Sequence, residues 1–135
     1  MNVYVIGVGL IGGSMALDIK SNYENVTVFG IDSNEKYLDI ALKLKIIDNK
    51  ALISDLADAD FVILAVPVDI ALVLLPNVLD KINDGTLVFD VGSTKFPICN
   101  AIANHSRRRN FLATHPIAGT EFSGPTAATL GLFEG

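Results

Sequence analysis

The chain has 135 residues, half of them hydrophobic and 19% charged, with a formal net charge of −5 and a pI near 4.8. A single domain of this length buries about two-thirds of its unfolded surface, and so apolar a composition excludes a disordered chain. The acidic balance, with no basic stripe to override it, excludes non-specific nucleic-acid binding, and the lone Cys99 leaves neither a disulfide nor a zinc site to be built within the chain.

Val3-Tyr4-Val5-Ile6 opens the chain with the length and β-branched content of a buried parallel strand. Gly7, Gly9 and Gly12 follow at the spacing G-x-G-x-x-G, and Ile11, Met15 and Ile19 then mark a helix at i, i+4 and i+8. In such a turn the first glycine allows the sharp exit from the strand. The second removes the side chain that would hold a pyrophosphate off, and the third brings helix and sheet together. The helix start, Leu10-Ile11-Gly12, offers unpaired N–H groups and the positive end of a dipole to phosphates. A second strand, Val26 to Ile31, ends at Asp32, 20 residues beyond Gly12, where a carboxylate is expected on the adenosine ribose of a dinucleotide. Asp32 would repel a 2′-phosphate, and the following Ser33-Asn34 supplies no arginine to attract one, so the spacing predicts NAD rather than NADP.

Ser33 or Asn34 is expected to cap a helix with Glu35 in its first turn and Leu38, Ala41, Leu42 and the aliphatic stem of Lys45 on its inner face. A short strand is expected near Ala51 to Ile53, and a strong one over Asp60 to Val66, halted by Pro67. Asp69 reads as the N-cap of a helix from Ile70, which Pro76 should break or kink before it resumes over Asn77 to Ile82. These interruptions exclude a membrane span over Phe61 to Leu79, although that window is nearly all apolar. Thr86 to Val91 is the next strand, followed by Gly92-Ser93-Thr94-Lys95 and a helix with Pro97 in its first turn, running through Ala103. His105 is expected on the surface, and Arg107-Arg108-Arg109 in a solvated turn. Phe111 to His115 is the last strand, and a short helix is expected from Pro125 to Leu130.

Strands alternating with helices predict an α/β, doubly wound Rossmann-type parallel sheet with helices on both faces and strand order 3-2-1-4-5-6. The carboxyl ends of the strands then converge on one edge, carrying Gly7 to Gly12, Asp32-Ser33, Val66-Pro67, Ser93 and His115. The first three groups are the expected cofactor site. Ser93 and His115 are the candidates for chemistry, since oxidising an alcohol requires a base for the hydroxyl proton and a neutral imidazole suits that task. A structural place for His115 at the strand end is the alternative reading. No basic n-region precedes the glycine turn, so no signal peptide is expected and the protein is placed in the cytoplasm.

The glycine turn GVGLIGGS, the segment Asp90-Val91-Gly92-Ser93-Thr94-Lys95, and the segment His115-Pro116-Ile117-Ala118-Gly119-Thr120-Glu121-Phe122-Ser123-Gly124 together resemble the prephenate dehydrogenase family, which includes arogenate dehydrogenases. The resemblance implies NAD-dependent oxidative decarboxylation of prephenate to 4-hydroxyphenylpyruvate in tyrosine biosynthesis. It implies that His115 bonds the substrate ring hydroxyl and promotes hydride transfer, that Ser93 supports this geometry, and that Thr120 and Glu121 lie near the substrate pocket. It also implies that residues 1–135 form the NAD-binding domain of a longer chain, inactive alone, whose helical second domain makes a homodimer and completes the substrate site. Arogenate oxidation, another NAD-dependent hydroxyacid dehydrogenase, and a non-enzymatic NAD-sensing module are the alternatives.

Overall fold

In the computed structural model, which describes residues 1–134, six parallel strands form one sheet in the order β3-β2-β1-β4-β5-β6. The strands are β1 (Asn2–Ile6), β2 (Thr27–Ile31), β3 (Asn49–Lys50), β4 (Phe61–Leu64), β5 (Leu87–Asp90) and β6 (Phe111–Ala113). The helices are α1 (Leu10–Asn22), α2 (Glu35–Lys43), α3 (Val68–Lys81) and α4 (Phe96–Ala101). This is the expected doubly wound architecture and strand order.

The period of two along β1 divides its side chains between two cores. Tyr4 and Ile6 join Val62, Leu64, Val88, Leu75 and Leu79 beneath α3 and α4. Val3 and Val5 join Val28, Ile63, Leu38 and Ala41 beneath α1 and α2. Tyr4 stacks on Phe29 at 4.5 Å between ring centroids, and its buried hydroxyl donates to Asp58 Oδ1 at 2.5 Å. Burial, with the Asp58 carboxylate adding to it, pushes the Tyr4 phenol well above its ordinary pKa.

Several local expectations give way to packing. Helix α3 runs unbroken through Pro76. Leu75, Val78 and Leu79 are fully buried along it. At about 1.5–3 kcal/mol each, their burial outweighs the roughly 3 kcal/mol that an interior proline costs. Asp69 is not the N-cap, which falls at Pro67. It sits instead in the first turn, where its charge still favours the dipole. The buried residues of α1 are Gly12, Gly13, Ser14 and Ala16, with Gly12 and Ala16 toward the sheet and Gly13 and Ser14 against Ala128 and Thr129, while Ile11, Met15 and Ile19 are only half-buried. Small residues let this helix approach β1 more closely than an aliphatic stripe would.

Asn34 caps α2 as expected, its Oδ1 accepting from the N–H groups of Lys36 and Tyr37. Lys45, however, lies beyond the helix in the left-handed region (φ 58°), exposed, and Ile46 and Ile47 take the core positions. The third strand precedes the expected one, at Asn49–Lys50, and Ile53–Asp58 forms a 3₁₀ turn. The last helix is reduced to a 3₁₀ turn over Pro125–Ala127.

His105 is not a free surface residue. Its Nδ1 accepts from Arg107 N–H, and its Nε2 lies 2.9 Å from Asp80 Oδ1. Arg107 donates to the carbonyls of Leu79 and Asp80 at the end of α3 and to Asp84, satisfying helix-terminal acceptors. The basic run is therefore partly a clamp on α3 rather than a solvated turn. No helix among the described residues is long and apolar enough to cross a membrane.

Candidate functional site

The strand ends form one edge, with the glycine turn at its centre. Gly7 adopts φ 94°, and a Cβ there would lie 2.2 Å from the Ala65 carbonyl oxygen of the β4 exit. Only glycine meets both demands. A Cβ on Gly12 would lie 2.0 Å from the Gly7 carbonyl oxygen, whereas one on Gly9 would meet nothing within 4 Å. Gly9 therefore faces open space. Gly9 is also the N-cap of the 13-residue α1, and no side chain caps the helix. The N–H groups of Leu10, Ile11 and Gly12 thus have no partner within the helix.

Asp32 at the β2 exit is half-buried. Its Oδ2 accepts from Val8 N–H at 3.0 Å and its Oδ1 from Asn34 N–H at 2.8 Å. The carboxylate ties the glycine turn to the β2 exit, and each oxygen keeps lone-pair capacity for a further donor. Because Asn34 caps α2, Asp32 is not spent as a helix cap. Beside it opens a cleft of about 540 Å³ whose walls include Ile31, Asp32, Ser33, Leu52, Val66 and Ile70. Its floor is apolar and its rim is acidic, with Asp32, Glu35 and Asp55 on it. Lys50, the cation at this rim, is held by Glu35 and by Asp39. Those two bonds raise its pKa above the ordinary lysine value.

Pro67 starts α3 and is exposed, outside the walls of this cleft. Ser93 follows β5 and His115 follows β6, both exposed. Neither side chain hydrogen-bonds the other or any other group among the described residues. His115 borders a shallow apolar depression with Met15, Phe89, Leu112 and Pro116. Thr120 is exposed, its Oγ1 accepting from Phe122 N–H.

The segment after His115 does not trail away. Thr129 N–H donates to Ser14 Oγ and Gly131 N–H to Asp18 Oδ1, so it crosses back onto α1. Asp32, Ser33 and Val66 line one cleft. The glycine turn is not among its walls but adjoins it through the Val8–Asp32 bond, and Ser93 and His115 follow the neighbouring strands of the same edge.

Two features of the site escape motif reading. Leu52 and Ile70 wall the cleft; the rule that ligands lie beyond the carboxyl ends of parallel strands could have found Leu52 just past β3. The second is Asp90, a buried carboxylate at the β5 exit, bonded to Lys95, Gly92 and Thr114.

A family model described as the nucleotide-binding domain of prephenate dehydrogenase matches residues 15–135. The prephenate dehydrogenase of Lactococcus lactis is 41% identical over 137 residues, which cover 98% of this chain and 38% of that protein. That of Bacillus subtilis is 40% identical over 136 residues, covering 98% and 37%. Among solved structures, prephenate dehydrogenase from Aquifex aeolicus in complex with hydroxyphenyl propionate and NAD+ superposes with a TM-score of 0.88 at 31% identity, covering 100% of this chain and 48% of that one. The chain spans less than two-fifths of the length of these curated relatives.

Proposed function

This chain belongs to the family of prephenate dehydrogenase nucleotide-binding domains, and from that premise we propose that it is the cofactor-binding part of an NAD-dependent enzyme converting prephenate to 4-hydroxyphenylpyruvate and carbon dioxide. The observation that carries the reading is the Asp32 carboxylate, bonded to Val8 N–H at the mouth of an apolar cleft beside an uncapped helix N-terminus.

The residues present fit NAD. Leu10, Ile11 and Gly12 hold the pyrophosphate through their N–H groups, Gly9 leaves it room, and Asp32 accepts from the ribose hydroxyls with Ser33 beside it. Leu52, Val66 and Ile70 enclose the adenine side, with Pro67 setting the start of α3 next to it. When bound, the cofactor supplies the hydride acceptor.

His115 takes the proton of the substrate hydroxyl as hydride leaves that carbon and returns it to the same oxygen as carbon dioxide departs and the ring becomes a phenol, and Ser93 orients that hydroxyl from the adjoining strand end. Thr120 contacts the substrate. Loss of carbon dioxide and aromatisation of the ring drive the reaction. By the same reading the protein works in the cytoplasm in tyrosine biosynthesis, and a further helical segment of the polypeptide completes the substrate site and forms a homodimer.

The test is NADH formation by the full-length polypeptide, with prephenate and arogenate assayed separately. Prephenate is expected to be the better substrate. His115→Asn should lower kcat about 10²- to 10⁴-fold while NAD affinity holds within about twofold, because a base acting in the transition state contributes little to ground-state binding. Absence of NADH with either substrate, or a near-normal rate for His115→Asn, would refute the assignment.

A further inference from the structure

Asp90 is 2% exposed, yet it carries a carboxylate that the mechanism above does not use. Its Oδ1 accepts from Thr114 N–H at 3.2 Å and its Oδ2 from Gly92 N–H at 3.1 Å. Oδ2 also pairs with Lys95 Nζ, and the Asp90 carbonyl accepts from Thr114 Oγ1. The β5–β6 ladder ends where Asp90 faces Ala113. The carboxylate therefore extends the pairing by one residue, onto Thr114, immediately before His115. On its other side it grips Gly92, immediately before Ser93.

A Cβ on Gly92 would stand 3.2 Å from Asp90 Oδ2 and 3.1 Å from Val68 Cγ2. The glycine thus lets the chain close tightly over the carboxylate. Lys95, three-tenths exposed at its side chain, supplies the opposite charge beside the buried carboxylate. The spacing D-x-G-S-x-K is in this way one hydrogen-bonded unit with the serine at its apex.

We infer that Asp90 is the positioning residue that fixes the Ser93 turn and the His115 strand end relative to each other. Ser93 and His115 do not bond one another, so their separation is set from beneath, through Gly92 and Thr114. The inference rests on the proposed roles of those two side chains. A displacement on the order of 1 Å between groups that must meet one substrate hydroxyl costs about 10²-fold in rate.

Asp90→Asn keeps the shape, removes the charge held by Lys95, and leaves one acceptor oxygen for the two N–H groups. In the 135-residue chain the histidines are His105 and His115, and His105 sits at the end of α3 with Asp80 and Arg107. Its ring resonances are therefore an internal control. The His115 ring cross-peaks are expected to shift in Asp90→Asn while those of His105 stay. In the full-length polypeptide kcat should fall about 10- to 100-fold, with NAD affinity unchanged within about threefold.

If Asp90→Asn does not fold, the double variant Asp90→Asn/Lys95→Met removes both charges together and is read in the same way. Val78→Ala, a core truncation in α3, reports what lost stability alone does to kcat. Unmoved His115 resonances would overturn the inference, as would a fall in kcat no larger than that of Val78→Ala at equal fraction folded. If the unmodified polypeptide makes no NADH from prephenate or arogenate, the proposed function fails separately, and the ring resonances alone decide the positioning role.

Discussion

Removing the Asp32 charge should relax discrimination between NAD and NADP by an amount that can be worked out. A 2′-phosphate carries about −2 charge at neutral pH. Set on a ribose that Asp32 holds, it would lie about 6 Å from the carboxylate. With an effective dielectric of about 20 near a surface, and about half the interaction screened at physiological salt, the repulsion is about 2.8 kcal/mol. That corresponds to roughly 100-fold in affinity. Lys50 does not offset it, because Glu35 and Asp39 already engage its ammonium group.

Asp32→Asn is the informative change. It preserves the shape but leaves a single oxygen to accept from Val8 and Asn34, which both bond the native carboxylate. NAD affinity should fall several-fold as the turn loosens and a ribose acceptor is lost, at about 1–2 kcal/mol. NADP affinity should rise, so that the two converge without inversion. Titration of both cofactors by fluorescence at two salt concentrations measures this, and the native preference should shrink as salt increases. Equal affinities in the unmodified chain, or a preference insensitive to both salt and Asp32→Asn, would refute the reasoning.

Two glycine variants should separate packing from cofactor binding. Gly12→Ala drives a methyl to 2.0 Å from the Gly7 carbonyl oxygen and should cost about 1–3 kcal/mol by calorimetry, with cofactor affinity falling alongside. Gly9→Ala meets no atom within 4 Å and should lower cofactor affinity with much less effect on the melting temperature. Tyr4, held protonated by burial and Asp58, should contribute no phenolate absorbance near pH 10 while the chain is folded. Above that pH the unfolded state releases a proton that the folded state keeps, so stability should fall as pH rises further, and Tyr4→Phe should remove that part of the loss.

The frame of the site is legible because its signals are local. Val3 to Ile6, Gly7 to Gly12 and Asp32 occupy a strand, a turn and a second strand end, and each has a physical reason confined to a few neighbouring residues. Alternation of strands and helices then places every strand end on one edge without knowledge of a single contact. What local reading misses depends on distant partners. Proline costs a helix about the same anywhere in its interior, and only the sheet beneath Leu75, Val78 and Leu79 decides that α3 continues through Pro76. His105 has no surface role visible from its neighbours, because its partner Asp80 lies 25 residues away.

Asp90 is the sharper case, because it stands inside a recognisable motif whose serine draws the chemical interest. Within the motif alone, an aspartate two residues before a glycine is a turn former, and a lysine five residues on is an exposed cation. Their significance comes from Thr114, 24 residues away, which only the parallel pairing of β5 and β6 brings within reach. A carboxylate that bonds two N–H groups and an ammonium group across two strand exits has little freedom left. That rigidity belongs to the strand ends and is transmitted to Ser93 and His115, the residues next in sequence. An exposed serine and an exposed histidine can thus be held in fixed relation while their side chains stay free of one another, as the roles proposed for them at one substrate hydroxyl require.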